Sequence, residues 1–136
     1  MQGRRGAREL AFQLLYHLEL VKGDASPEMD YFWQLNVKKA DLRPFAEQLV
    51  KKVLENREQI DGHVSEASKH WSLSRMDSVS RCLLRLGACE ILYTPDTPPQ
   101  VAIHEAVELA KRFGPDESPA FINGILDRLL RDKTPA

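Results

Sequence analysis

At 136 residues the chain is long enough to bury a continuous core as one domain, without help from a metal or a disulfide. Its 43% hydrophobic and 29% charged residues are the balance of a soluble globular protein, and no apolar run approaches the roughly 18 residues that a membrane span needs. The formal net charge of −1 supplies no global field that would draw the chain to nucleic acid, so any anion-binding surface must be local.

The basic segment from Met1 to Arg8 leads into an amphipathic stretch carrying Glu9, Gln13, His17 and Glu19. A secretory leader would continue as a uniformly apolar core, so a cytoplasmic chain is expected. Ala7, Leu10, Ala11, Leu14, Leu15, Leu18 and Val21 repeat at helical spacing and predict a first amphipathic helix that Gly23 ends. Ser26-Pro27 reads as a cap followed by the first helical proline of a short helix to about Leu35. Asp41 is the expected cap of the next helix, with the stripe Leu42, Phe45, Ala46, Leu49, Val53 and Leu54. Its pattern continues past Ile60 and Val64 towards His70, with Gly62 the expected break. Trp71 reads as a core anchor.

Ser74-Arg75-Met76-Asp77 has capping-box spacing, with aspartate in place of the usual glutamate. Behind it Val79, Cys82, Leu83, Leu86 and Leu92 predict a largely buried helix. Cys82 and Cys89 fall on that helix with Cα atoms about 10 Å apart, too far for a bridge, and read as buried thiols. The prolines from Thr94 to Pro99 make a rigid loop, and a helix follows to Phe113 with Gly114 as its stop. Ser118-Pro119 opens the last helix, lined by Phe121, Ile122, Ile125, Leu126, Leu129 and Leu130. The fold class is therefore all-α, a bundle of six or seven helices.

Most candidate chemistry is thin. His104-Glu105-Ala106-Val107-Glu108 misses the zinc motif H-E-x-x-H because Glu108 stands where the second imidazole is required. Glu105 and Glu108 then read as a solvated helix face. His17, His63 and His70 have no nucleophile at recognisable spacing, and the glycines form no phosphate loop. No catalytic residue, cofactor or metal is predicted. One constellation stands out: Arg4 or Arg5, Arg8, Phe12 and Tyr16 recur about every four residues along the first helix. Guanidinium groups suit phosphates and aromatic rings suit unpaired bases, so the stripe reads as an RNA surface. The competing reading is a solvated helix start with Phe12 and Tyr16 in the core. The helix macrodipole disfavours cations at this end but welcomes an anion, which leans towards a functional placement.

Longer patterns carry a resemblance. The run Leu83-Leu84-Arg85-Leu86-Gly87-Ala88-Cys89-Glu90-Ile91-Leu92-Tyr93, the run from Pro98 to Gly114, and Ser118 with Phe121-Ile122-Asn123-Gly124-Ile125-Leu126-Asp127 follow in order. Together with Arg4-Arg5-Gly6-Ala7-Arg8-Glu9-Leu10-Ala11, Gln13 and Tyr16, they resemble the NusB family of bacterial transcription antitermination factors over essentially the whole chain. The match is looser between Gly23 and Ser74. His104 stands where asparagine is usual, Gly6 where another basic residue is common, Ser80 for an acidic residue and Glu117 for an aspartate.

The resemblance implies one NusB-like RNA-binding domain over residues 1–136, made of two packed helical subdomains, without catalytic activity. It implies binding to the single-stranded boxA element of ribosomal RNA leaders together with NusE, a small-subunit ribosomal protein, so that RNA polymerase, acting with other Nus factors, reads through terminators. Carried over by position, it nominates Arg4, Arg5, Arg8, Gln13 and Tyr16 for RNA, with Arg81 and Glu117 at the edge. Two alternatives are the RNA-guiding module of a ribosomal RNA cytosine methyltransferase and a protein-only adaptor or homodimer. Arg131 to Ala136 reads as a natural end, against the first of these.

Overall fold

A computed structural model describes residues 3–21, 25–69 and 71–133. Seven α-helices and no strand occur among them: α1 Gly3–Leu20, α2 Ala25–Leu35, α3 Arg43–Glu55, α4 Arg57–Ala67, α5 Ser78–Tyr93, α6 Pro99–Phe113 and α7 Ser118–Lys133. Short 3-10 helices at Val37–Leu42 and Leu73–Arg75 join α2 to α3 and α4 to α5. The all-α expectation and its upper helix count hold.

The organising element is α5. Every residue from Cys82 to Ile91 is buried, because apart from the ion-paired Arg85 and Glu90 the helix carries apolar or small side chains on all its faces. On one side it receives α1 and α3, which pack on each other, while α2 packs on α1. On the other it receives α4, α6 and α7. These are the two packed subdomains, and their buried apolar residues form one connected cluster through α5. No helix among the described residues is long and apolar enough to cross a membrane.

Several element ends differ from expectation. The 3-10 turn absorbs Asp41, so α3 starts after Leu42 with no side-chain cap and with Pro44 in its first turn. The break between α3 and α4 falls at Asn56 rather than Gly62, which lies inside α4. Asn56 Nδ2 donates to the Lys52 carbonyl at 2.9 Å, a local bond that competes with helix continuation. Asp77, not Ser74, caps α5, accepting from the Ser80 amide at 2.9 Å. The α2 helix starts at Ala25, one residue ahead of the Ser26-Pro27 pair. Gly114 ends α6 in an extended conformation, with no left-handed turn. Trp71 is no core anchor: it is 52% exposed in the turn after α4 and meets Phe121 edge-on at 6.2 Å. Gly23, Lys22, His70 and the segment 134–136 lie outside the described residues.

Gly87 sits where α5 meets α6 and α7. A Cβ there would lie 2.6 Å from Leu126 Cδ1 and 3.4 Å from Ala106 Cβ. Leu126 is fully buried and has nowhere to go. Gly87→Val is expected to cost about 1–3 kcal/mol by overpacking, read from the denaturant midpoint. The same change at Gly124, where a Cβ meets nothing, should stay within about 0.5 kcal/mol of its helix-propensity effect.

Candidate nucleic-acid interface

The three arginines that open α1 meet different surroundings. Arg8 is only 5% exposed, and its Nε donates to both oxygens of Glu90, itself 1% exposed, at 2.9 Å each. Arg5 reaches α6, where Nε donates to Glu105 Oε1 at 3.0 Å and Nη2 to Oε2 at 2.8 Å. The Arg5 side chain remains 69% exposed while that of Glu105 is 9% exposed. Arg4 is exposed, with its guanidinium 4.8 Å from the centroid of the Phe45 ring, and the Arg8 guanidinium lies 5.8 Å from the same centroid. Arg5 and Arg8 thus each meet a carboxylate, while Arg4 makes no ion pair among the described residues. Beside Arg4 a shallow cleft is lined by Ala7, Asp41, Leu42 and Phe45, and past Phe45 a second runs to Arg43, Gln48 and Lys51.

The carboxylates respond as their surroundings dictate. The hydrogen bond from Arg5 holds Glu105 below the usual carboxylate range despite its burial. Burial pushes Glu90 above that range, and Arg8 offsets only part of the shift.

Farther along α1 the seam with α6 continues. Glu9 pairs with Arg112, whose guanidinium lies 4.9 Å from the Phe113 ring centroid. The Phe113 ring is 5.3 Å from Phe12, and Phe12 is 6.1 Å from Tyr16. Phe12 is buried, as the core reading of that stripe has it, whereas Gln13 and Tyr16 are half-buried. Arg5, Glu9, Phe12 and Tyr16 therefore follow one seam.

The remaining candidates sit elsewhere. Arg81 is paired with Glu19 near the far end of α1 and donates to the carbonyls of Leu73 and Met76 at 2.8 Å each. Arg81 and Glu90 are separated by about 13 Å along α5. Burial pushes the Glu19 carboxyl up, but the Cys82 thiol, bonded at 3.0 Å, and Arg81 together with Arg85 outweigh it and hold it low. Glu117 is exposed just ahead of α7, beside a cleft with Trp71, Arg75, Asp77 and Phe121. The structure thus gathers Arg4, Arg5 and Arg8 at one end, sets Gln13 and Tyr16 midway, and leaves Arg81 and Glu117 at the other end.

Glu90, Glu105 and Phe45 escaped the sequence reading. Glu105 is buried against Arg5, not part of a solvated face. A signal existed for Glu90, since an acid inside a largely buried helix requires a cation. Among the described residues no group of His, Cys, Asp or Glu is arranged to hold a metal. Cys82 and Cys89 are both buried with thiols pushed well above their ordinary range, chiefly by burial.

Two consequences are measurable. Arg8→Ala leaves the buried Glu90 carboxylate without its partner and should destabilise the fold by about 3–5 kcal/mol in chemical denaturation. Glu19 and Glu105, whose values are lowered on folding, stabilise the native state at neutral pH and lose that contribution as pH falls through the folded values. Glu90, raised on folding, acts in the opposite direction. A Glu19→Gln/Glu105→Gln variant should therefore lose less stability than the parent between about pH 5 and pH 3 in denaturant titrations.

The fold and this edge define an all-helical protein whose two subdomains share one buried helix and whose first helix presents arginines at its start. The NusB family model matches residues 5–131, and the chain belongs to the NusB family. It is 45% identical over 130 residues to the transcription antitermination protein NusB of Geobacter sulfurreducens, covering 95% of this chain and 94% of that one. It superimposes with a TM-score of 0.84 and 34% identity on T. maritima NusB, covering 93% of this chain and 89% of the other. It is also similar, at TM-score 0.84 and 29% identity, to a chain in a crystal structure of antitermination factors NusB and NusE in complex with dsRNA, covering 96% of this chain and 97% of that one.

Proposed function

We propose that this chain is a non-enzymatic, RNA-binding transcription antitermination factor of the cytoplasm. It captures the single-stranded boxA element of ribosomal RNA leaders together with NusE, and through other Nus factors helps RNA polymerase read through terminators. Arg4 and Arg5 supply the phosphate contacts, while Gln13 and Tyr16 extend the surface along the seam with α6. Arg8 and Arg81 serve that surface indirectly by locking α1 onto α5, and Glu117 marks its far edge. The observation that carries this reading is the pair of exposed guanidinium groups at the start of α1, Arg4 without an ion pair beside the Phe45 ring and Arg5 open on its outer side. Support also comes from the similar fold crystallised as NusB with NusE and dsRNA. With a net charge of −1 the chain alone has little general attraction for RNA, so the partner contributes affinity as well as recruitment.

Fluorescence anisotropy with a labelled boxA-like RNA and a scrambled control, across a salt series and with or without NusE, tests this. Binding to the boxA-like RNA should be the tighter, and tighter still with NusE. An Arg4→Ala/Arg5→Ala variant should bind more weakly, with a log–log salt slope shallower by roughly 1.4, the loss of two single-strand phosphate contacts. Equal weak binding to both RNAs, unchanged in the variant, would overturn the RNA surface in favour of a protein-only adaptor or homodimer.

A further inference from the structure

We infer that Glu105 is a positioning residue for RNA binding: its buried carboxylate grips the Nε–Nη2 edge of Arg5 and presents the Nη1 edge of that exposed guanidinium to a phosphate. The inference rests on the RNA reading above. Arg5 is the most exposed partner of any ion pair along the seam, with 69% of its side chain open, and a free arginine there would sample many rotamers. Two parallel bonds to one carboxylate, at 3.0 and 2.8 Å, fix the plane of the guanidinium instead. Among the described residues Nη1 carries no bond, so donors remain for a second anion on the outer side.

The opposite role, in which Glu105 occupies Arg5 and must be displaced by RNA, conflicts with burial. Withdrawing Arg5 would leave a carboxylate with a 9% exposed side chain stranded on a packed helix, beside the already buried Glu90. Holding Arg5 from behind while its outer edge meets phosphate strands neither charge. Glu105 thus plays for Arg5 the part that an outer-shell carboxylate plays for a metal-bound histidine, fixing orientation without touching the ligand.

The test uses the labelled boxA-like RNA with NusE present. Glu105→Gln keeps the size of the side chain but loses the two-oxygen grip, and roughly three- to tenfold weaker binding is expected, with a melting curve that remains cooperative. Arg5→Ala should weaken binding at least as much. The double variant should then bind no worse than Arg5→Ala alone, because a positioning residue has nothing left to position. Arg5→Lys, which keeps the charge but lacks the fork, should fall well short of wild type, and wild-type binding there would overturn the inference even if Glu105→Gln fails to fold. Glu108→Gln removes the same charge from an acid paired with Lys111, and should not weaken binding.

Tighter binding in Glu105→Gln would overturn the inference in favour of a competing carboxylate. Unchanged binding in that variant, additive losses in the double variant, or full activity of Arg5→Lys would overturn it as well. If Arg5→Ala itself binds like wild type, the RNA surface has failed; if Arg5→Ala weakens binding and Glu105→Gln does not, only the positioning role has.

Discussion

A helix buried on every side cannot carry an unpaired charge, and α5 carries three charged side chains. Transfer of an isolated carboxylate or guanidinium out of water costs far more than the chain's marginal stability allows, so each must find a partner of opposite sign in a set place. Glu90 takes Arg8, Arg81 takes Glu19, and Arg85 takes Asp61. Two of these partners lie on α1 and one on α4. The pairs near the two ends of α1 occur in reverse order along α5, so they fix α1 antiparallel to it and set its register. Apolar packing brings the helices together; the ion pairs decide how they align.

That alignment positions the candidate interface. With Arg8 drawn inward, the turn ahead of it carries Arg4 and Arg5 outward over Phe45 and Glu105. Cations at a helix N-terminus oppose the macrodipole, and the surrounding carboxylates and ring face offset that cost. The same three-residue neighbourhood therefore contains a buried arginine that holds the fold, a half-tethered one and an open one. Substituting all three at once would mix a folding defect with a binding defect, which is why Arg8 belongs apart from the other two.

Helical periodicity made the architecture readable, because apolar residues at i, i+3, i+4 and i+7 demand a packed face wherever the partner lies. Element ends were less readable. Asp41, Gly62 and Ser74 all have the chemistry of caps or breaks, yet a 3-10 turn, Asn56 and Asp77 do that work, since neighbouring turns compete for the same carbonyls and amides. Trp71 illustrates a second limit: its size favours burial, but the turn after α4 leaves it half outside, with Phe121 against its edge. The arginines illustrate a third. Arg4, Arg5 and Arg8 look alike in sequence, and only the position of two acids roughly 80–100 residues downstream separates them. Such long-range pairing has no local signature.

The exposed Arg4 guanidinium, which makes no ion pair among the described residues, has an effect before any contact forms. Because the whole chain is slightly acidic, a cation held in one exposed place sets up a local field that the net charge does not reveal. A polyanion passing that end is drawn to it locally, while a net charge of −1 offers it no general attraction. Orientation during diffusional encounter, more than strength of attraction, is what such a charge arrangement supplies, and it fades once salt shortens the Debye length below the molecular radius.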